Sequence, residues 1–297
     1  MAENIFEGAA SFDWENYLNC RPNYRQSDFY PLIWDYHTSH GGQWNLARDV
    51  GTGPGNVAEV LSTKFAKVEG SDPSAFHIEV AKRKCIELPN VSFAVSRAED
   101  VVATTKADLI TVAECLPLMD IERAMGNFSE LLKPGGTLAI WFYGGPIYID
   151  AGDEEIQALH RTITSLSYDE IKPRKGNAWS TIGSWFDNVE LPEKIWTDVK
   201  RIKWNSDKPL GFSDEFQNDA ASCVRPDEVV EEKIDRSFWD KEVDFRWAKS
   251  FIDAQIPRQK SYITLEVETM YDQMEKLMAG RVHKITWPVV LILATKK

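Results

Sequence analysis

The chain has 297 residues, 43% hydrophobic and 11% aromatic, enough for one α/β domain with an insertion or for two small domains. Its 46 acidic against 34 basic residues leave a net charge of −12, and the pI is near 5.0, which argues against nucleic acid or an anionic membrane as a partner. The opening "MAENIFEGAA" lacks the apolar core of a signal peptide, and the longest apolar run, "VVLILA" at 289 to 294, is far too short to span a bilayer. Cys20, Cys85, Cys115 and Cys223 are scattered, with no C-x-x-C pair and no histidine at metal-ligand spacing, so reduced thiols, no metal and a cytoplasmic location are expected.

From residue 44 to about 144, short apolar runs alternate with helix-like segments, the pattern of βαβ units and a parallel sheet. "WNLARDVG" reads as the first strand, "AEVLSTKFA" as a helix and "KVEGSD" as the second strand. "AFHIEVAKRKCIEL" follows as a helix, then "VSFAV" and "ADLITVAE" as the third and fourth strands, "IERAMGNFSELL" as a helix, and "GTLAIWFYG" as the fifth strand after the turn "KPGG". Ligands of such sheets bind outside the carboxyl ends of the strands, so those ends carry the candidate chemistry.

The first of these ends is D-x-G-x-G-x-G, with Asp49 before Gly51, Gly53 and Gly55 and a helix starting near Asn56. Glycines here let a ligand press against backbone, and the helix start offers free N–H groups. The dinucleotide fingerprint G-x-G-x-x-G would need glycine at Asn56, so a nicotinamide oxidoreductase is disfavoured. The second strand ends at Asp72, 17 residues after Gly55, where a carboxylate suits the two hydroxyls of a ribose; the plainer reading is a solvated turn residue before Pro73. The third strand runs into Ser96-Arg97-Ala98-Glu99-Asp100, either an adenine edge or an acidic helix N-terminus.

Residues 146 to 265 break this rhythm and hold Trp179, Trp185, Trp196, Trp204, Trp239 and Trp247, which read as ordinary core or as an aromatic wall for an apolar or planar acceptor. His160 falls there on a probable helix, where a lone histidine is usually a packing or surface residue. "YITLEVETMYDQMEKLMAG" reads as a strand-to-helix or all-helix element, and "HKITWPVVLILATK" as one long β-rich run.

Taken in order, "DVGTGPG", "SDPS", "RAED", "ADLITVAE" and "LLKPGGTLAIWFYG" resemble the class I S-adenosylmethionine (SAM) methyltransferases of small molecules related to trans-aconitate methyltransferase, especially fungal members. "LNCRPNYRQSDFYPLIWDY" resembles the N-terminal lid element of that family. The resemblance implies a Rossmann-like sheet of seven strands with the last antiparallel, a helical lid over 1–43, a SAM-binding core over 44–145, an acceptor-binding insertion over 146–265, and a C-terminal helix and strands over 266–297 completing the sheet. It implies SAM contacts from Asp49, Gly51, Gly53, Gly55, Asp72, Pro73, Ala98, Glu99 and Arg21, and a place for Glu114 near the transferred methyl. Two departures stand out. Arg97 replaces a usual acidic residue, and Pro117, Leu118 and Met119 replace a usual His-Trp-Phe run before Asp120, which excludes a histidine base there. The implied activity is methyl transfer to an oxygen, carboxylate or hydroxyl, of a small organic molecule by a monomer or homodimer. The alternatives are a fold relative that has lost transfer and acts as a cyclase or isomerase, or a non-catalytic regulator.

Overall fold

The computed structural model describes residues 16, 20–22, 24, 28–102, 104–169, 178–212, 220–254 and 264–297. Helix α1 (Tyr30–Ser39) turns Tyr30, Ile33, Tyr36 and His37 inward at helical spacing. Its docking is polar as well as apolar: the Tyr36 hydroxyl donates to the Asp198 carbonyl at 2.7 Å, and His37 Nδ1 meets Thr137 Oγ1 at 2.8 Å. Most of the expected lid before this helix lies outside the described residues.

The five expected strands form as β1 (Leu46–Val50), β2 (Lys67–Asp72), β3 (Val91–Val95), β4 (Ala107–Ala113) and β5 (Leu132–Tyr143). Between them run α2 (Asn56–Ser62), α3 (Ala75–Lys84) and α4 (Ile121–Leu131). Local capping explains where two of these helices begin: Ser74 accepts from the His77 N–H, and Asp120 accepts from the Arg123 N–H. All five residues of β1 are buried, as in a parallel strand covered on both faces.

The remaining elements are β6 (Ile147–Tyr148), α5 (Glu154–Asp169), α6 (Ala178–Gly183), β7 (Trp196–Trp204), β8 (Val229–Lys233), β9 (Lys241–Val243), α7 (Phe245–Asp253), α8 (Leu265–Met278), β10 (His283–Thr286) and β11 (Val289–Lys296). The main sheet runs β3-β2-β1-β4-β5-β11-β7-β8, and a small sheet runs β6-β10-β9. Strand β11 is antiparallel to both β5 and β7, so the last strand is wedged inside the sheet. The main sheet has eight strands rather than seven, because β8 adds in parallel to the outer side of β7.

Two expectations change. The segment 146–265, expected as an insertion after the fifth strand, supplies β7 and β8 to the main sheet, where only C-terminal strands were expected to complete it. The run "HKITWPVVLILATK" divides at Trp287-Pro288 into β10 and β11, which serve different sheets. Proline has no N–H to continue a ladder, and the corner is held instead by Gly144 N–H donating to the Pro288 carbonyl and Asn205 Nδ2 donating to that of Trp287. Among the described residues no helix is long and apolar enough to cross a membrane.

Candidate active site

Parallel register brings the carboxyl ends of β2, β1 and β4 side by side, with Val50 opposite Ser71 and Val112. The loop after β1 is laced to β2, since Gly51 and Thr52 both donate to the Ser71 carbonyl, at 2.8 and 2.9 Å. Gly51, Gly53 and Gly55 all have positive φ, at +70°, +51° and +86°, yet their surroundings differ. A Cβ on Gly51 would fall 2.3 Å from Cys115 Sγ, and one on Gly55 would fall 3.2 Å from the Ala81 Cβ. A Cβ on Gly53 would meet nothing within 4 Å among the described residues. Gly51 and Gly55 therefore permit packing, while Gly53 alone turns bare backbone toward open space.

The carboxylates around this loop are held firmly. Asp49 is buried, and its two oxygens accept from Thr52 Oγ1 at 2.6 Å and Thr111 Oγ1 at 2.8 Å. Burial pushes its pKa up to about 6 against the lowering effect of those hydroxyls, with the Asp72 charge adding to the rise. Asp72 Oδ2 accepts from the Gly53 N–H at 3.0 Å, while Oδ1 accepts from the Ser74 N–H at 2.8 Å and faces His77 Nδ1 at 3.2 Å. Asp72 thus couples the loop after β1 to the start of α3. Pro73 beside it is exposed.

The segment after β3 is tied to helix α4 rather than to the glycine loop. Ala98 is buried and its carbonyl accepts from Asn127 Nδ2 at 2.8 Å. Glu99 Oε1 accepts from the Asp120 N–H at 2.7 Å, and its other oxygen lies 3.6 Å from Arg97 Nε. Arg97, which departs from the acidic residue of the resemblance, is therefore an ion-pair partner of the carboxylate two places on. Leu116–Leu118 form a 3-10 turn with Leu116 and Pro117 buried, filling the place where the resemblance has its histidine.

Glu114, the first residue after β4, lies in the left-handed region, at φ +60°, a conformation uncommon outside glycine and found at sites that hold strain for function. Its Oε1 accepts from the Tyr143 N–H across the β4–β5 pair. Arg21 reaches the same place from the N-terminal side, donating to the Tyr143 hydroxyl and to the Ala254 carbonyl, each at 3.2 Å. Burial pushes the Glu114 carboxyl well above the usual range, opposed by the Tyr143 N–H and the Arg21 charge. Cys115 joins the two halves of the site: burial raises its thiol well above the usual value, and the charges of Asp49, Asp72 and Glu114 raise it further. Three carboxylates thus act on Cys115, and one of them, Asp72, also takes the Gly53 N–H.

Sequence reasoning missed Cys115, Tyr143, His77 and Thr111. The first two depend on strand pairing, which brings Cys115 under Gly51 and the Tyr143 N–H within reach of the Glu114 carboxylate. Thr52 was legible as a hydroxyl inside the glycine loop. Of the six tryptophans, Trp196, Trp204 and Trp239 are buried core, while Trp179, Trp185 and Trp247 pack partly buried against it. His160 is 2% exposed, and burial lowers its pKa to about 3, with Arg161 adding to the fall, so it is unsuited to taking a proton near neutral pH. Among the described residues one group has metal-ligand proximity, Asp150, Asp153 and His283. There His283 Nδ1 faces both Asp153 oxygens at 2.9 Å and Nε2 faces the Met278 carbonyl at 3.3 Å, a brace between the start of α5 and β10.

Comparison with known proteins agrees with this geometry. A family described as "Methyltransferase domain" matches residues 48–136, which span the glycine loop, Asp72, Ala98 and Glu114. Methyltransferase cfoB of Aspergillus candidus is 37% identical over 310 residues, covering 97% of this chain and 96% of the relative. Methyltransferase pgmE of Aspergillus terreus is 35% identical over 312 residues, covering 95% and 93%. A solved structure from Anaeromyxobacter dehalogenans, described as a type II methyltransferase, superposes with a TM-score of 0.55 at 14% identity, covering 89% of this chain and 95% of that one, and so supports the fold. These matches point to fungal methyltransferases rather than to trans-aconitate methyltransferase in particular. With a glycine loop open at Gly53, an acidic ring from β1, β2 and β4, and relatives matched over nearly their whole length, the chain belongs to the class I SAM-dependent methyltransferases and is related to fungal methyltransferases of small molecules.

Proposed function

We propose that the enzyme methylates an oxygen, hydroxyl or carboxylate, of a small organic acceptor, and that Glu114 faces that acceptor. The observation that carries this reading is Glu114 itself: a carboxylate in a strained backbone at the end of β4, with one oxygen fixed by Tyr143 and Arg21 nearby. SAM supplies an activated methyl on a sulfonium, so the work of the protein is mainly alignment, worth roughly 7–11 kcal/mol when the reacting groups are well placed. Gly53 would give the cofactor its close backbone approach, Asp72 would hold the ribose hydroxyls, and Pro73 and Ala98 would border adenine. Asp49 would act on the ammonium group from behind Thr52, and Glu99 would brace the adenine side. Arg21 would meet the cofactor from the N-terminal segment, which we assign as a lid, with residues 146–265 supplying acceptor contacts.

Incubating the enzyme and candidate extracts with methyl-labelled SAM, then locating the label by NMR and mass spectrometry, tests the reading. An O-methyl product supports it, while label on nitrogen or carbon, or no labelled product, overturns it. The buried Pro117 turn in place of the histidine motivates one rival, a cyclase or isomerase, whose product would show no mass gain.

Two cofactor predictions follow from the geometry. Asp72→Ala is expected to weaken SAM and S-adenosylhomocysteine by roughly 10- to 150-fold, because hydrogen bonds to a charged group contribute about 1.5–3 kcal/mol. Since Asp72 also anchors Gly53 and Ser74, a melting curve accompanies the calorimetry, and equal affinity in a folded variant removes the ribose assignment. Gly53→Val is expected to abolish binding while the fold survives, because its side chain enters space that is open in the protein. Gly51→Ala is the contrast: its Cβ collides with Cys115 Sγ, so stability falls. Unchanged SAM affinity in Gly53→Val would make the loop a packing turn only.

A further inference from the structure

The loop after β6 and the start of β10 bring two carboxylates and one imidazole to a common point. Strand β6 pairs with β10, with Tyr148 opposite Ile285, so the chain leaving β6 passes Lys284, whose N–H donates to Asp150 Oδ2 at 2.8 Å. The turn Asp150-Ala151-Gly152-Asp153, with Gly152 at φ +93°, closes with the Asp153 N–H donating to the Asp150 carbonyl at 3.3 Å. One ligand-type atom from each of Asp150, Asp153 and His283 then lies within 4.8 Å of the other two. Asp153 and His283 are 5% and 3% exposed, while Asp150 is exposed, so the group is open to ions on one side.

Both ring nitrogens of His283 face oxygens that only accept. Nδ1 meets the two oxygens of the Asp153 carboxylate at 2.9 Å each, and Nε2 meets the Met278 carbonyl at 3.3 Å. A ring with one proton satisfies one side and turns a lone pair on the other. With the proton on Nε2, the Nδ1 lone pair and both Asp153 oxygens point at one another, and a cation among them removes that repulsion. The charge balance points the same way. Among the described residues no lysine or arginine lies within ion-pair distance of Asp150 or Asp153. A doubly protonated His283 would leave one of the two carboxylates uncompensated, whereas a divalent ion balances both.

We infer that Asp150, Asp153 and Nδ1 of His283 form a binding site for a divalent transition-metal ion of the Zn²⁺ type, with water on the exposed side. Zinc takes imidazole nitrogen and carboxylate oxygen at about 2.0–2.2 Å and accepts three protein ligands plus water. The outer contacts suit this assignment: Nε2–H donates to the Met278 carbonyl and the Lys284 N–H donates to Asp150, as partners that orient metal ligands do. The ion would join the start of α5 to the small sheet and takes no part in methyl transfer, so the inference stands apart from the O-methylation reading. Sequence spacing hides the site, because His283 lies 130 residues from Asp153.

Protein stripped with EDTA and dialysed is titrated with zinc chloride by calorimetry, with Mg²⁺ and Ca²⁺ as oxygen-preferring controls, and melting curves are recorded with and without Zn²⁺. The wild type is expected to bind one equivalent of Zn²⁺ at micromolar affinity or tighter, with a rise in melting temperature that EDTA reverses. Asp150→Asn, at an exposed position and with an oxygen kept for the Lys284 N–H, is expected to weaken Zn²⁺ by about tenfold or more and to shrink that rise, while the metal-free melting temperature stays the same. His283→Gln is expected to remove the site, and if it does not fold, Asp150→Asn decides alone. Zinc held by cysteine thiols elsewhere would bind equally to the wild type and the variants. That equality, no equivalent bound by the wild type, or tighter binding of Mg²⁺ or Ca²⁺ than of Zn²⁺ overturns the inference.

Discussion

Arg201→Met is expected to remove about 3–5 kcal/mol of folding stability, the scale set by leaving one partner of a buried ion pair alone. Arg201 lies on β7, paired with Ile292 of β11 on one side and Val230 of β8 on the other. Its side chain and that of Glu228 are both 0% exposed, with Nε to Oε2 at 2.6 Å. The two terminal nitrogens donate to the carbonyls of Phe186 and Val189 at 2.7 and 2.9 Å, and Phe186 itself holds φ +64°. Methionine fills the volume but leaves the Glu228 carboxylate with only Arg225, 3.5 Å from its other oxygen, and strands both carbonyls in a dry interior. The double variant Arg201→Met with Glu228→Leu is expected to recover part of the loss, since the fully buried carboxylate is then gone and only the part-exposed Arg225 keeps its charge. Urea midpoints for the two single variants and the double read this directly. A single variant within about 1 kcal/mol of wild type, the range of an exposed pair, would mean that water reaches the pair.

That pair also shows why part of the fold was illegible. In "WTDVKRIKW" the period-2 pattern is hidden, because Arg201 and Lys203 occupy buried positions on the strength of partners far away, Glu228 and Asp187. A strand whose core face carries cations reads as a solvated loop until its partners are placed. The five parallel strands were readable for a different reason: β4 is a nearly continuous apolar run, and β1, although it buries Arg48 and Asp49, runs straight into the glycine loop. The break at Trp287-Pro288 was signalled by the proline and overridden by the apolar runs around it. In the site, Asp49, Asp72 and the glycines could be singled out from spacing. The different duties of Gly51 and Gly53 could not, because they depend on Cys115, which β4 brings under the loop from 64 residues away.

Glu114→Gln is expected to lower kcat by about 10²-fold or more with SAM affinity nearly intact, if the acceptor is a hydroxyl that gives up its proton at Glu114. Glutamine has nearly the same shape and keeps an oxygen for the Tyr143 N–H, so the β4–β5 link persists while the basic oxygen is lost. The strained φ of +60° is unchanged by the substitution, so a fall in kcat is not a backbone effect. Burial raises the Glu114 carboxyl, and the active base is its ionised form. The wild-type rate is therefore expected to climb with pH through that raised value and level off above it, and the climb is expected to vanish in Glu114→Gln. A carboxylate acceptor reverses the sign: it needs no proton removal, an ionised Glu114 repels it, and glutamine would raise the rate or lower KM, most at high pH. The direction of the change thus reports the acceptor's charge, with Arg21 as the counterweight in either case. Equal kcat and KM at every pH for an identified acceptor would take Glu114 out of the reaction and leave it as the strand link to Tyr143.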